Sequence, residues 1–285
     1  MRHLRKYTRF YVLLFLAFTA CLIWYAVFRE DRGGVLSVSF LDIGQGDAIF
    51  IDAPNGNQVL IDGGLGVGVL RALGKAMPFY DRSIDMVVAT HPDQDHIGGL
   101  SSVISKYGVP VYVDPGIPND TPVFEALTRA IEKYKPEKIT ARRGMRFVLD
   151  KGVFLDVLFP DRDVSEVETN TGSIVARLHY GDTSFLLTGD SPQSIEHYLV
   201  SIDGPKLKSD VLKAGHHGSK TSSSEYFLSA ISPAFAVISA GKNNRYGHPH
   251  KEVIDALTRT GASILSTYEK GTVSFSSNGR AVKIK

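Results

Sequence analysis

The chain contains the stretch Thr90-His91-Pro92-Asp93-Gln94-Asp95-His96-Ile97-Gly98-Gly99, directly after the apolar run Asp85-Met86-Val87-Val88-Ala89. A strand that turns sharply into a helix here would aim alternate polar side chains at one point. Imidazole nitrogen and carboxylate oxygen suit a divalent cation, and their mixture suits two ions in one cage. The alternative is a polar helix cap, which needs only one such residue. The stretch therefore predicts a metal site, with the candidate ligands His91, Asp93, Asp95 and His96.

The first thirty residues combine a basic flank with a long apolar run. Four cations and no acid precede residue 10, and residues 10–28 carry no charge. Such a run can cross a bilayer as a helix, and the basic flank favours a cytoplasmic N-terminus. We expect a cytoplasmic flank at 1–9, a transmembrane anchor at 10–28 and an extracytoplasmic domain at 33–285. The alternative is a cleaved signal peptide and a secreted protein.

The charge of the chain does not by itself indicate a nucleic-acid-binding domain. The chain has 32 basic and 30 acidic residues, and without the four cations before Phe10 the balance is 28 to 30. We interpret the densest basic stretch, residues 133–146, as a solvated helix end and loop. Cys21 is the only cysteine, so the sequence predicts neither a disulfide nor a thiolate metal site.

From Gly33 onward the sequence has no low-complexity segment and no linker, which indicates one compact domain. Each half begins with strands and continues with alternating helices and strands. This pattern predicts an α/β fold with two stacked sheets and helices outside. The predicted strands are 35–42, 48–52, 58–62, 85–89, 109–113, 153–159, 173–179, 184–187, 210–213 and 235–240, and the predicted helices are 69–76, 96–106, 122–134, 193–201, 223–230 and 250–260.

Further candidate site residues follow apolar strands. Asp190 comes directly after such a strand, beside a glycine that lets the backbone approach a ligand. His216 and His217 lie between two glycines after another strand, which favours a site over a structural role. His248 follows the strand at 235–240. Asp62 is as well suited to orient a metal-binding histidine as to bind metal itself.

Five motifs in order resemble the metallo-β-lactamase superfamily. They are Phe40-Leu41-Asp42-Ile43-Gly44-Gln45-Gly46-Asp47, Leu60-Ile61-Asp62-Gly63-Gly64, Thr90 to His96, Leu187-Thr188-Gly189-Asp190 and Leu212-Lys213-Ala214-Gly215-His216-His217-Gly218-Ser219. More narrowly, they are similar to the extracytoplasmic C-terminal domain of the ComEC family of competence DNA-uptake proteins. The resemblance implies an αββα sandwich with a dinuclear hydrolase site at one sheet edge.

The resemblance also implies roles for individual residues. The implied metal ligands are His91 and Asp93 for one ion, Asp95 and His96 for the other, Asp190 between them, and His216 as the last histidine. His217 and His248 would lie behind the ligands or face the substrate, and Asp62 would orient a ligand. The residues implicated in catalysis are Asp95, Asp190, His217 and His248.

Two departures from the superfamily pattern affect the metal. Asp93 replaces the usual second histidine, and the histidine expected between the third and fourth motifs is missing. His179 is the candidate replacement, but we predict a structural role for it because it lies mid-strand. Asn170 and Ser173 resemble the ComEC-like pattern in this region. The expected cofactor is two divalent metal ions, zinc or manganese, because an oxygen-richer cage leaves both open.

Two neighbouring cations would activate a water for attack on phosphorus or on a carbonyl carbon, while His217 or His248 assists the departing oxygen. The preferred function is an anchored, extracytoplasmic phosphodiesterase or nuclease related to DNA uptake. One alternative is a hydrolase of another substrate, such as a cell-wall phosphoester or a thioester. Another is a non-catalytic binding module with a degraded metal site. The expected partners are nucleic acid or another phosphoester, the membrane through the N-terminal helix, and a channel protein of unknown identity.

Overall fold

The computed structural model describes residues 2–30 and 32–285 and contains an N-terminal helix followed by an α/β domain. The helices are α1 Arg2–Glu30, α2 Gly68–Ala76, α3 Gln94–Ile97, α4 Leu100–Lys106, α5 Pro122–Tyr134, α6 Gln193–Asp203, α7 Glu225–Ile231, α8 Lys251–Thr260 and α9 Thr267–Lys270. The strands are β1 Leu36–Phe40, β2 Ile49–Asp52, β3 Gln58–Ile61, β4 Met86–Val88, β5 Val111–Asp114, β6 Glu137–Thr140, β7 Arg146–Asp150, β8 Val153–Phe159, β9 Val175–Tyr180, β10 Thr183–Leu187, β11 Val211–Lys213, β12 Phe235–Ile238, β13 Ser263–Ser266, β14 Val273–Ser277 and β15 Val282–Ile284.

The strands form two sheets. Within residues 32–285, one sheet has eight strands in the order β15-β14-β1-β2-β3-β4-β5-β6, and the other has seven in the order β13-β12-β11-β10-β9-β8-β7. Strands β3 to β6 run parallel, and so do β10 to β13. Because the carboxyl ends of parallel strands meet at one edge, the loops after β3, β4, β10 and β11 converge.

Alternating burial along the strands explains the layers. Every second residue of β8, from Val153 to Phe159, is buried, and the residues between them are only partly buried. The inner faces of the two sheets share a core in which the ring of Phe275 lies 6.0 Å from both Phe40 and Phe185. Helices α2, α4 and α5 pack on the outside of the first sheet, and α6, α7 and α8 on the outside of the second. The predicted αββα sandwich is confirmed.

Several helices begin at or close to the residues predicted from the sequence. One predicted helix, however, is divided in two by a pair of glycines. Thr121 caps α5 by accepting a hydrogen bond from the Phe124 N–H at 3.4 Å, with proline in the first turn. The helix predicted at 96–106 is split at Gly98 and Gly99 into α3 and α4. An added Cβ at Gly99 would lie 2.3 Å from the Gly63 carbonyl oxygen, so the chain needs glycine for this close approach.

The basic stretch at 133–146 is not simply a helix end and loop, so that interpretation was wrong in part. It contains β6, the edge strand of the first sheet, in which Ile139 is the partly buried residue and the other three residues are exposed. A strand with only one partly buried side chain has no apolar periodicity to detect. Lys138 of this strand forms an ion pair with Asp114 at 2.8 Å.

Helix α1 contains a candidate transmembrane span at Tyr7–Tyr25, and none of this window is buried inside the protein. A signal sequence near an N-terminus has the same length and composition. The division into a cytoplasmic flank, an anchor at 10–28 and a domain at 33–285 stays a prediction.

Candidate metal centre

Four buried side chains converge where the two sheets meet at their carboxyl edge. Asp47 comes from the loop after β1, His96 from α3, Asp190 from the loop after β10 and His217 from the loop after β11. One potential ligand atom from each of these residues lies within 4.8 Å of the others. Each half of the domain, with its own sheet, therefore contributes two residues to one cluster.

Asp62 fixes the orientation of His96. The Asp62 carboxylate accepts hydrogen bonds from the Thr90 N–H at 2.8 Å and the Thr90 hydroxyl at 2.7 Å. The same carboxylate lies 2.8 Å from Nδ1 of His96. The other ring nitrogen, Nε2, then faces the cluster, 3.3 Å from Asp190 Oδ2. This contact is the orienting geometry expected of a carboxylate behind a metal-binding histidine.

His217 is held in the same way from the second sheet. Its Nδ1 donates to the Ser239 carbonyl oxygen at 2.9 Å, and its Nε2 lies 3.2 Å from Asp95 Oδ2 and 3.3 Å from Asp190 Oδ2. His216 is more exposed, with Nε2 3.7 Å from Asp190 Oδ2. The structure thus places His217 deeper in the cluster than His216, although the resemblance assigned the last ligand position to His216.

The backbone around these two histidines is unusual. His216 has φ +48° and His217 has φ +54°, a left-handed conformation that costs energy for residues other than glycine. The flanking Gly215 has no room for a side chain, because an added Cβ would lie 2.8 Å from the Ser222 Cβ. The glycine-bracketed pair in the sequence therefore reflects a tight turn that directs the imidazoles inward.

The donor set fits a divalent cation. When the rings of His96 and His217 are neutral and their Nδ1 atoms donate to oxygen acceptors, both Nε2 atoms carry lone pairs, and these atoms face each other at 3.2 Å. Among the described residues, the buried atoms without a hydrogen-bond partner include Oδ1 of Asp190, Oδ1 of Asp47 and Nε2 of His91. Converging lone pairs and unpartnered buried acceptors are unfavourable unless a positive charge lies between them.

The pKa shifts of His96, His217 and Asp190 also indicate that the cluster favours positive charge. Burial alone would lower the pKa of His96 and His217, but Asp190 and neighbouring aspartates outweigh it and raise both pKa values well above the ordinary range. Burial would raise the pKa of Asp190, yet His217, His96 and Lys213 hold it well below its usual value. The pKa of His91 is instead lowered, first by burial and then by His96.

Asp93 and Asp95 lie at the more open side of the cluster. Oxygen Oδ2 of Asp93 is 3.8 Å from Nε2 of His91, whose ring centroid lies 4.0 Å from that of His96. Asp93 occupies the N-cap position of α3 but its side chain makes no capping hydrogen bond. The helix-cap alternative for this residue therefore lacks its defining contact. Of the four predicted ligands in this stretch, the structure places His96 in the four-residue cluster with Asp190, and His91, Asp93 and Asp95 beside that cluster.

Lys213 and Asp47 are site residues that sequence reasoning did not assign. Lys213 is fully buried, forms an ion pair with Asp47, and has its Nζ 3.6 Å from Asp190 Oδ1 and 3.2 Å from the Gly189 carbonyl oxygen. The sequence did contain a feature that could have identified each of these two residues. Asp47 ends the first quoted motif, and Lys213 is a charge in an otherwise apolar strand, which is rare unless the charge is paired.

The remaining candidates lie at different distances from the cluster. The ring of His248 is half-buried, 5.5 Å from that of His216 and 6.4 Å from that of His217. Burial, followed by these two histidines, lowers the pKa of His248 to about 4. Ser173 accepts a hydrogen bond from the Asp190 N–H at 3.3 Å. His179 instead contacts Asp156 at 3.0 Å, between β9 and β8.

Residues 41–242, more than half of the chain, match the family described as the metallo-beta-lactamase superfamily. The chain belongs to the metallo-β-lactamase superfamily. The resemblance inferred from the five motifs is thereby confirmed, and the fold is that of the superfamily's metal-dependent hydrolases. The buried Asp/His cluster occupies the edge where the resemblance implied the site.

Proteins that are similar to the chain in sequence include a competence protein. The chain is 34% identical over 265 residues to ComE operon protein 3 of Bacillus subtilis (strain 168). This alignment covers 84% of this chain and 32% of that protein. It is 32% identical over 251 residues to competence protein ComA of Neisseria gonorrhoeae, and this alignment covers 87% of this chain and 33% of that protein. The chain spans about a third of the length of these relatives.

Solved structures support the fold. A metallo hydrolase from Ignicoccus hospitalis, Igni18, aligns with a TM-score of 0.55 at 14% identity, covering 85% of this chain and 98% of that one. At this identity the likeness concerns the metallo-β-lactamase fold and not the reaction.

Proposed function

We propose that this superfamily member is a membrane-anchored, extracytoplasmic phosphodiesterase that uses divalent metal ions to cleave DNA. The observation that carries the proposal is the buried Asp/His cluster, bordered by an exposed loop with cationic and aromatic side chains. The similarity to a protein named for competence adds support for a DNA-related substrate. The N-terminal helix supports membrane attachment through a span at Tyr7–Tyr25.

We divide the proposed ligands into two groups. His96, His217 and Asp95 surround one side, with Asp95 Oδ2 and Asp190 Oδ2 both within 3.3 Å of His217 Nε2. His91 and Asp93, whose Nε2 and Oδ2 lie 3.8 Å apart, form the second proposed group. We assign one ion to each group, with zinc and manganese as the candidates. Bound there, divalent ions would supply Lewis acidity and an activated water for attack on phosphorus.

The charge of the site supports two ions. Within the described part of the chain, the site gathers five aspartates and one lysine, namely Asp47, Asp62, Asp93, Asp95, Asp190 and Lys213. With the histidines neutral, as ligands must be, these groups carry a formal charge of about −4. Two bound divalent cations would neutralise that charge, whereas one would leave a buried excess of negative charge.

His248 is suited to contact the departing oxygen. Its pKa of about 4 means that the ring is neutral at neutral pH. A neutral imidazole donates a hydrogen bond from one nitrogen and accepts one at the other. His248 would therefore stabilise the leaving group as a hydrogen-bond donor.

The loop at 241–248 offers a surface for nucleic acid. The Arg245 guanidinium lies 4.8 Å above the ring of Tyr246, which is 47% exposed. The Tyr246 ring in turn stacks on His248, with centroids 5.6 Å apart and planes at 22°. Because His248 borders His216 and His217, these stacked groups lead from solvent to the cluster. Aromatic rings beside cations are the usual means of binding single-stranded nucleic acid.

The loop is held in this shape by Asn244. The Asn244 side chain donates to the carbonyl oxygens of Gly241 at 3.0 Å and His248 at 2.6 Å, and accepts from the N–H groups of Tyr246 and His248. Beside it lies a cleft of 600 Å³ whose lining includes Lys242 and His248. The binding surface is therefore formed before substrate arrives, which lowers the entropic cost of binding.

The test is hydrolysis of single-stranded DNA and of bis-p-nitrophenyl phosphate by the purified chain with manganese or zinc. We expect the wild type to cleave both, and the double variant Asp95→Ala/His96→Ala to cleave neither. Tyr246→Ala should impair DNA cleavage while leaving turnover of the small diester unchanged. Tyr134→Ala is the matched control, because Tyr134 is similarly exposed at 45% but ends α5 on the outside of the first sheet.

Other outcomes separate the alternatives. Turnover of the small diester without DNA cleavage would contradict the DNA substrate and favour another phosphoester, such as one of the cell wall. Absence of turnover with every ion would contradict an enzyme and favour the binding module.

A further inference from the structure

The first sheet has two ends with different surroundings. At one end, Ser37 of β1 pairs with Asp52 of β2, and Asp52 pairs with Gln58 of β3. We call this row the tether end, because the chain enters β1 here from α1. At the opposite end, β3 and β4 lead into Asp62 and Thr90, which belong to the metal centre.

The connection between α1 and the tether end is short. Helix α1 ends at Glu30 and β1 begins at Leu36, and an extended chain of this length spans at most about 20 Å. A domain of this size has a diameter of roughly 45 Å. Arg32 donates to Asp52 Oδ1 at 2.8 Å, which fixes the connection against the sheet. Wherever α1 is embedded, this short connection therefore keeps the tether end close to the end of α1.

An exposed aromatic pair lies at this end of the molecule. Phe79 is 84% exposed and Tyr80 is 53% exposed, with ring centroids 5.4 Å apart. They belong to the loop 78–82 between α2 and β4. The loop is fixed to the tether end by Asp81, whose Oδ2 accepts a hydrogen bond from Gln58 Nε2 at 2.7 Å. Adjacent exposed aromatic rings are unfavourable in water and favourable at a membrane interface.

The charges around the pair suit a lipid surface. Arg71 and Lys75, which precede the loop, and Arg82, which ends it, are all exposed. The acids of the same segment are engaged with the sheet, because Asp81 and Asp85 each accept a hydrogen bond from Gln58. Cations that flank exposed aromatic rings match anionic headgroups above an apolar layer.

We propose that the loop 78–82 lies against the bilayer that holds α1, with Phe79 and Tyr80 among the lipid headgroups. The proposal rests on the membrane anchor in the proposed function, but not on the reaction or its substrate. Its consequence is a fixed orientation of the domain. The metal centre, at the opposite end of the first sheet, faces away from the bilayer and is open to a long polymer.

The experiment uses the full chain in liposomes whose lipids carry a bromine or nitroxide quencher. Cys21, the only cysteine, is replaced by serine, and a fluorophore is attached to Phe79→Cys or, as the matched control, to Val67→Cys. Val67 is also highly exposed, at 67%, but lies in the loop after β3 at the metal-centre end. We expect several-fold stronger quenching at position 79 than at position 67. Equal quenching, or stronger quenching at 67, would overturn the proposal.

Trp24 tests the anchor separately. It is the only tryptophan of the chain and lies in α1, so quenching of its fluorescence reports whether the helix is embedded. Quenching of Trp24 without quenching at position 79 would overturn the loop contact and leave the anchor standing. Absence of both would overturn the anchor as well.

Discussion

At the scale of single residues, the metal centre is a set of charges that stabilise one another. His96 and His217 are each fixed by an oxygen acceptor at Nδ1, so both present Nε2 to Asp190. Lys213 is a built-in cation at the back of the cluster, where it pairs with Asp47. A buried pair of this kind contributes little net stability, but removing one partner leaves an uncompensated charge.

The first prediction concerns Lys213. Lys213→Met leaves Asp47 buried and unpaired, and we expect it to lower the free energy of unfolding by about 3–5 kcal/mol. Lys138→Met is the control, because Lys138 is half exposed in its pair with Asp114, and its loss should cost about 1 kcal/mol or less. Urea titrations of the detergent-solubilised chain with a metal chelator present measure both. Equal losses for the two variants would contradict the buried-pair assignment.

The second prediction separates the adjacent histidines. His217 lies within 3.3 Å of two aspartates, whereas the nearest aspartate oxygen to the His216 ring is 3.7 Å away. We expect His217→Ala to weaken manganese or zinc binding by roughly a hundredfold or more, and His216→Ala by about tenfold or less. Metal titration by calorimetry gives both affinities. A stronger effect of His216→Ala would return the last ligand position to that residue.

At the scale of elements, α6 supports the loop that leads from the metal centre to α7. Glu196 of α6 is buried and accepts hydrogen bonds from the N–H groups of Ser223 and Ser224, just before α7 begins. Burial raises the pKa of Glu196 to about 7, against the two hydrogen bonds that favour the carboxylate. The connection therefore contains a group that titrates near neutral pH.

The third prediction follows from this pKa. Because the folded-state pKa lies above the unfolded value of 4.5, the folded protein binds more protons between these values, and stability falls as pH rises. Relative to Glu196→Gln, the wild type should lose about 2–3 kcal/mol between pH 5 and pH 8. Urea titrations of both proteins at the two pH values measure the difference. A constant difference across this range would show that Glu196 is not protonated in the fold.

Elements with one regular pattern could be predicted from the sequence. The helix predicted at 122–134 and the strand predicted at 153–159 both have the observed bounds. The strand β6 was missed because it buries so little, and the break at Gly98 and Gly99 was missed because it depends on a contact with the distant Gly63. Local patterns cannot report contacts between segments far apart in the chain.

At the scale of the whole molecule, the sandwich brings two halves of the chain to one edge. Sequence patterns identified most of the candidate residues because each follows an apolar strand. They did not identify Asp47 and Lys213, whose relevance depends on a contact between a loop of the first sheet and a strand of the second. They also did not reveal how closely His217 approaches Asp190, because that distance is set by the left-handed backbone at residues 216 and 217.

The most direct test of the account is the number of divalent ions bound by the purified full chain, measured by elemental analysis after dialysis against manganese or zinc. We predict two ions per wild-type chain and loss of both in Asp190→Asn. Asp114→Asn is the matched control, since Asp114 is a buried aspartate at the end of β5 that pairs with Lys138 instead, and it should keep both ions. One ion or none in the wild type, or unchanged binding in Asp190→Asn, would contradict the proposed dinuclear centre.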